Sequence, residues 1–123
     1  MQRKIRVLYV EDDIIMAMEV KVVLEAMDFE VVDPVSTGVE AIKSTRLCKP
    51  DIVIIDIRLK GNMNGIEAAR EIRLFSDVPI IFLTGYKNID IMDQASRVRR
   101  SLFLTKPFDP GKLVASIETF CAR

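Results

Sequence analysis

Charged side chains follow three short apolar runs in this sequence. Acidic residues 11–13 end the first run, Asp56 ends the second, and Lys106 follows a third, late run. Short apolar runs that stop at a charge are typical of buried parallel strands, whose carboxyl ends collect the functional groups of open α/β sheets. Carboxylates that meet there repel one another unless a cation joins them. The pattern therefore predicts an acidic, metal-binding pocket with a lysine at its rim.

Strand-like and helix-like segments alternate five times along the chain. The predicted strands cover residues 5–10, 30–35, 52–55, 80–83 and 101–105. The predicted helices cover 14–27 and 88–98, and three more begin near Thr37, Asn64 and Asp109. Five such units predict an α/β fold with a doubly wound parallel sheet. Because we find no linker, repeat or low-complexity tract, we expect a single domain over residues 1–123.

The amino-acid composition narrows the possible classes of function. The chain carries 18 basic and 18 acidic residues, and this balance gives no support for direct nucleic-acid binding. It has no histidine, which excludes histidine metal ligands and phosphohistidine chemistry within the chain. Cys48 and Cys121 form no motif, as expected of a reduced protein. No apolar run suits a signal peptide or a membrane span, so we expect a cytoplasmic protein without membrane contact.

Asp56 could serve as a metal ligand, as a nucleophile or as a helix cap. A long loop rich in Gly and Asn separates it from the next helical pattern at Asn64, which weighs against a cap. Asp13 suits the capping role better. Mg²⁺ takes oxygen ligands and keeps several waters, and Asp12 and Asp56 would supply carboxylates for it. A backbone carbonyl of the loop after Asp56 would add a third oxygen, and the lack of histidine argues against transition metals.

Two further strand ends carry groups suited to an anion. Lys106 precedes Pro107, which restricts the lysine backbone to extended conformations and fixes the direction of its side chain. Thr84 ends the fourth predicted strand, where its hydroxyl can donate to an anion and Gly85 leaves room for one. The ordinary alternatives are a solvated surface lysine and a simple strand-end turn.

From about residue 4 to residue 121, the chain resembles the receiver domain of two-component response regulators. Five motifs carry the resemblance, each modest alone but specific in this order, and they cover residues 10–13, 51–59, 64–67, 82–85 and 104–108. The resemblance implies a flavodoxin-like (βα)5 fold with the strand order 2-1-3-4-5.

The resemblance also implies a chemistry. Asp56 would be the phosphoacceptor, taking a phosphoryl group from a phosphohistidine on a histidine kinase or phosphotransfer protein. Asp12, Asp56 and the backbone carbonyl of Arg58 would bind Mg²⁺, and Glu11 would bind it through a water molecule. Phosphoryl transfer of this kind depends mainly on positioning and charge neutralisation.

A switch follows from the same resemblance. Thr84 and Lys106 would contact the phosphoryl oxygens, and Thr84 and Phe103 would form the switch pair. The fourth helix, fifth strand and fifth helix would then change a surface that controls an output domain or partner, with a homodimer through this surface as one outcome. Arg58 and Tyr86 would flank the approach of hydrolytic water. Phe103 is equally consistent with an ordinary half-buried strand aromatic.

The sequence departs from the commonest receiver pattern at two places. Lys60 replaces a frequent proline in a loop that is one residue longer. A stretch with three arginines, residues 97–101, replaces a turn rich in Gly and Ala. That basic stretch suits a solvated helix end or a partner surface.

Two other functions remain open. One is a Mg²⁺-dependent phosphohydrolase with an aspartyl nucleophile, but Arg58 stands where such enzymes carry a second acid. The other is a degenerate receiver that is never phosphorylated, although this chain keeps every acid and the lysine. We expect no enzyme activity beyond self-phosphorylation and self-dephosphorylation.

Overall fold

The computed structural model describes residues 3–32, 34–85, 88–106 and 109–121. Strands and helices alternate along the chain. The strands are β1 (Arg6–Val10), β2 (Glu30–Val31), β3 (Ile52–Asp56), β4 (Ile80–Thr84) and β5 (Ser101–Thr105). The helices are α1 (Ile14–Ala26), α2 (Gly38–Cys48), α3 (Gly65–Arg73), α4 (Ile89–Ser96) and α5 (Pro110–Cys121).

The five strands form one parallel sheet in the order β2-β1-β3-β4-β5. This topology confirms the predicted α/β fold and its strand order. Every residue of β3 and of β4 is buried, because helices cover both faces of the sheet. One apolar cluster joins the sheet to α2, α3 and α4, and a second joins it to α1 and α5. The helices thereby leave the carboxyl edge of the strands for polar side chains.

Side-chain caps fix where the first three helices begin. Asp13 caps α1 and accepts from the Met16 N–H, as the sequence predicts. Asn64 and Glu67 form a complete capping box at α3. At α2 the Thr37 hydroxyl accepts from the N–H of residue 40, but that glutamate turns to Ser36 instead of completing the box. The cap at Asn64 sets the length of the loop after Asp56.

Two predicted elements, β2 and α4, are shorter in the structure by three residues or more. β2 ends at Val31, and among the described residues the pairing with β1 resumes at an isolated bridge between Val35 and Val10. Pro34 lies in this interruption. Because proline has no backbone N–H, it cannot donate a hydrogen bond to the neighbouring strand. α4 ends at Ser96, two residues earlier than predicted, and its Met92 side chain is 43% exposed. Ile91 packs against the apolar cluster.

Among the helices that the structure describes, none has the length and apolar character needed to cross a membrane.

Candidate functional site

An acidic cluster lies at the carboxyl edge of the sheet. Glu11 and Asp12 directly follow β1, and Asp56 ends β3. β1 and β3 are neighbours, with Val10 opposite Ile55, so the three carboxylates meet above one pair of strands. Ligand oxygens of all three lie within 4.8 Å of one another. Glu11 is 4% and Asp56 6% exposed, so both carboxylates are held away from bulk water.

Lys106 reaches this cluster from the end of β5. Its ammonium donates to Glu11 Oε1 at 2.8 Å and to Asp56 Oδ2 at 2.7 Å. Charge-assisted bonds of this kind are about twice as strong as neutral ones. The lysine therefore lies between the two buried carboxylates, as expected for a rim lysine and unlike a solvated surface lysine.

Burial and charge change the proton affinity of this group of residues. Burial raises the pKa of Glu11, and the nearby Asp56 adds to the rise, while the Lys106 ammonium opposes it. Burial of Lys106 favours its neutral form, but the hydrogen bonds to Asp56 and Glu11 outweigh that effect and raise the pKa of the amine. The lysine therefore stays charged beside the carboxylates.

Asp56 does not cap a helix. Its Oδ1 accepts from the backbone N–H of Arg58 at 3.1 Å, while α3 begins only after the Asn64 cap. Gly65 closes the loop against the strand end, with its N–H donating to the Ile57 carbonyl at 2.8 Å. A Cβ on Gly65 would lie 2.3 Å from the Asp56 carbonyl oxygen, so this close approach requires glycine. The loop thus presents Asp56 at the strand terminus.

Of the other predicted residues, those in the described part of the chain lie on β4, on β5 and in the loop after Asp56. Thr84 is buried at the end of β4, the strand between β3 and β5, and its carbonyl accepts from the Lys106 N–H at 2.8 Å. Phe103 is half-buried on β5, opposite Phe82, and packs against the apolar cluster under α4. Arg58 is exposed in the loop beyond Asp56. Tyr86, Pro107 and Phe108 lie outside the described residues.

Tyr9 also belongs to the site, and the sequence argument did not single it out. Its hydroxyl donates to Glu11 Oε1 at 3.2 Å from the buried middle of β1. The signal was available, because a strand of period two places residues 9 and 11 on the same face. A tyrosine two residues before a strand-end acid can therefore reach that acid.

The donor set fits a hard divalent cation. All three clustered ligands offer carboxylate oxygens, and among the described residues no cysteine joins them. Mg²⁺ is bound in proteins by one or two carboxylates together with water, whereas thiolate and imidazole ligands suit transition metals. The observed chemistry matches the magnesium prediction in kind.

Comparisons with known proteins identify the family. The response regulator receiver domain model matches residues 7–118, so the chain belongs to that family. The transcriptional regulatory protein PdtaR of Mycobacterium tuberculosis is 33% identical over 118 residues, which cover 96% of this chain and 57% of PdtaR. The chain thus spans little more than half the length of that relative.

Solved structures agree with this assignment. The signal receiver domain of a modulated diguanylate cyclase from Desulfovibrio desulfuricans G20 has 32% identity and a TM-score of 0.87, covering 94% of this chain and 92% of that one. A putative response regulator from Chloroflexus aurantiacus has 28% identity and a TM-score of 0.89, covering 98% and 100%. Membership places the chain in two-component signalling, as a receiver domain of the phosphoacceptor-switch class.

Proposed function

We propose that this chain is a phosphoacceptor switch in which Asp56 takes the phosphoryl group. The supporting observation is that Asp56 ends a buried strand with Oδ2 bound to Lys106 and Oδ1 bound to the Arg58 N–H. A carboxylate oxygen of Asp56 attacks the phosphorus of a phosphohistidine, and the P–N bond breaks with its electron pair going to the imidazole. Both hydrogen bonds orient the nucleophile, because transfer depends on alignment.

The same carboxylates would hold Mg²⁺. Asp12 and Asp56, with the Arg58 carbonyl, would be its ligands, and Glu11 would hold it through water. When bound, the cation offsets the negative charge of the phosphoryl oxygens and of the clustered acids. Without it, Lys106 is the cation in contact with Glu11 and Asp56.

Phosphorylation would redirect Lys106 and Thr84. A phosphoryl group adds close to two negative charges and strong acceptor oxygens, which compete with Glu11 for the Lys106 ammonium. Thr84, at the adjacent strand end, would donate its hydroxyl to the same oxygens. Phe103 would then move inward beside the displaced threonine. The switch would change the surface formed by α4, β5 and α5, where Met92 and Leu102 are exposed apolar residues.

The exposed face of α1 supports a protein as phosphodonor. Ile15, Met18 and Val22 lie one helical turn apart and are each more than 60% exposed. α1 begins directly after the Asp13 cap, so this apolar face borders the acidic site. Exposed apolar patches of this kind mark interaction surfaces. A helical phosphohistidine donor that docks on α1 would bring its imidazole to Asp56.

We propose the remaining features on the same basis. Residues 1–123 form one receiver domain, and its reactions are limited to self-phosphorylation and self-dephosphorylation. The changed surface of α4, β5 and α5 binds an effector or a second copy of the chain. The cytoplasm is the proposed site of action, because the two cysteines of the sequence, Cys48 and Cys121, form no motif, as expected of a reduced protein.

Incubation with a small-molecule phosphodonor tests this function. With Mg²⁺, intact-mass measurement should show the gain of one phosphoryl group, and a chelator should abolish the gain. A protein that gains no phosphoryl group would fit a degenerate receiver. Rapid multiple turnover of a phosphate ester would favour a phosphohydrolase instead.

A further inference from the structure

Tyr9 is a buried tyrosine whose hydroxyl is not needed to fill the core. Its side chain is 0% exposed, and it lies in the apolar cluster between the sheet, α1 and α5. A phenylalanine would fill that space equally well. The hydroxyl donates to the Glu11 carboxylate at 3.2 Å. The role of the hydroxyl is therefore its hydrogen bond to Glu11.

Three donors satisfy the buried Glu11 carboxylate. Oε1 accepts from the Tyr9 hydroxyl and from the Lys106 ammonium, at 3.2 and 2.8 Å. Oε2 accepts from the backbone N–H of Asp13 at 3.3 Å. Tyr9 and Lys106 thus share one oxygen, and Lys106 also binds Asp56.

Sharing this oxygen has a consequence when Lys106 moves. In the resting protein, Glu11 Oε1 still accepts the hydrogen bond from the Lys106 ammonium when the tyrosine hydroxyl is removed. Once Lys106 turns to a phosphoryl group on Asp56, the Tyr9 hydroxyl is the side-chain donor left on that oxygen. A buried carboxylate oxygen that loses its donors carries a large desolvation penalty.

We propose that Tyr9 is a positioning residue for phosphoryl transfer, whose phenol keeps Glu11 hydrogen-bonded and in place while Lys106 moves to the phosphoryl group. This inference rests on the proposed function. Tyr9 is suited to the task because its donor is rigid and fixed by the core of the sheet. Burial and the charge of Glu11 also raise the pKa of the phenol, so its proton stays in place at physiological pH.

Removal of the hydroxyl should penalise the phosphorylated state more than the resting state. Beryllofluoride with Mg²⁺ serves as the phosphoryl probe, and its affinity is measured by calorimetry on the full chain. Tyr9→Phe should weaken binding roughly tenfold, the scale of one hydrogen bond to a charged group. The unfolding temperature of the resting protein should change little, because Lys106 still binds Glu11. Thr45→Val is the matched control, since it removes a buried hydroxyl that donates to the Ala41 carbonyl on α2. It should leave the affinity unchanged.

A double-mutant cycle separates positioning from packing. In a Glu11→Gln background, Tyr9→Phe should weaken beryllofluoride binding by about twofold or less, because the charge it serves is absent. An equal loss in both backgrounds would show that Tyr9 acts through packing and would overturn the inference. Unchanged affinity of Tyr9→Phe in the parent would overturn it as well. A parent protein that does not bind beryllofluoride would overturn the proposed function itself, and this inference with it.

Discussion

The two ends of the sheet both collect charged side chains but arrange them differently. At the amino end, the charged groups bind either an opposite charge or backbone carbonyls. Asp51 accepts two bonds from the Arg3 guanidinium, at 2.8 and 2.9 Å, and Asp77 forms a salt bridge with Arg99. The guanidinium of Arg73 is buried there and donates to backbone carbonyls. Each of these contacts fastens one chain segment to another.

At the carboxyl end, opposite charges are not balanced. Among the described residues of the acidic cluster, Glu11, Asp12 and Asp56 lie around the single ammonium of Lys106. Like charges so close together disfavour one another, and burial adds to the cost. Such a site is suited to take up positive charge and to exchange partners.

The two ends of the sheet differ in role. The contacts at the amino end stabilise the fold, and the carboxyl end holds the candidate functional site. β3 shows both within one strand, since Asp51 directly precedes it and Asp56 ends it. The first carboxylate is satisfied by arginine and by a backbone N–H, which favours the folded chain. The second retains a charge imbalance, which favours the binding of a cation or phosphoryl group. Charge removal should therefore have opposite effects at the two ends.

The largest effect is expected from Arg73→Met at the amino end. Arg73 donates to the carbonyls of Ser76, Arg99 and Arg100, at 3.2, 2.8 and 3.0 Å. Loss of these three bonds should lower the free energy of unfolding by about 3 kcal/mol, measured in urea, although the Arg100 carbonyl still accepts from the Ile80 N–H at 3.2 Å. Phosphorylation of the folded variant should persist. Arg70→Met on the exposed side of the same helix is the control, and a loss below about 1 kcal/mol in both would contradict this role.

The pH dependence of stability should differ in sign between the two ends. Burial opposes ionisation of Asp51, but the bonds from Arg3 and from the Arg6 N–H outweigh it and lower its pKa. An acid with a lowered folded pKa stabilises the protein above its unfolded pKa of about 3.9 and loses this contribution as pH falls through the folded pKa. Asp51→Asn should therefore flatten the acid limb of the stability curve, an effect of about 1 kcal/mol.

Glu11 should have the opposite effect on the pH dependence of stability. Burial raises its pKa in the folded state, so its contribution is full below the unfolded pKa of about 4.3 and is lost as pH rises through the folded pKa. Glu11→Gln should remove that loss, by about 1 kcal/mol in magnesium-free buffer. Urea unfolding between acidic and neutral pH checks both variants together. If both substitutions changed the slope of stability against pH in the same direction, the two ends of the sheet would not differ in this respect.

A smaller effect is expected from Asp12→Ala. The change should abolish Mg²⁺ binding and relieve repulsion, so the resting protein should be unchanged or more stable by less than about 1 kcal/mol. Asp13→Ala provides the neighbouring control, because it removes the α1 cap and should destabilise by about 1 kcal/mol. Thermal unfolding with and without Mg²⁺ reports both. A Mg²⁺-induced rise in the Asp12→Ala variant as large as in the parent would exclude Asp12 as a ligand.

The smallest effect on the isolated protein is expected from Met18→Ser on the outer face of α1. Self-phosphorylation from a small donor should be unchanged, while transfer from a phosphorylated histidine kinase should slow roughly tenfold. Leu74→Ser is the control, since it removes another exposed apolar side chain, just after α3. Equal transfer rates for all three proteins would show that α1 does not bind the donor.

Much of this arrangement could be predicted from the sequence, because the end of a buried strand is marked by the change from apolar to charged residues. That rule brought Glu11, Asp12, Asp56 and Lys106 to one edge, and the structure places them together. Local patterns were less reliable. The helix predicted over residues 88–98 ends at Ser96 in the structure.

Contacts between side chains were the part that the sequence could not supply. The sharing of Glu11 by Tyr9 and Lys106 depends on how far two side chains from different strands reach. Pairing of β2 also depended on its partner strand, because the ladder to β1 is interrupted near Pro34. Periodicity reports which face a residue occupies but not which of several polar atoms it meets.

The most direct test of the account compares Asp56→Asn with Asp51→Asn after treatment with a phosphodonor and Mg²⁺. The two substitutions remove the same charge at opposite ends of β3. Intact mass should show one added phosphoryl group on the parent and on Asp51→Asn, and none on Asp56→Asn. Thermal unfolding should show the opposite ranking, with Asp51→Asn less stable than Asp56→Asn. Undiminished phosphorylation of Asp56→Asn would contradict the central claim that the charge imbalance at the carboxyl end serves Asp56 as phosphoacceptor.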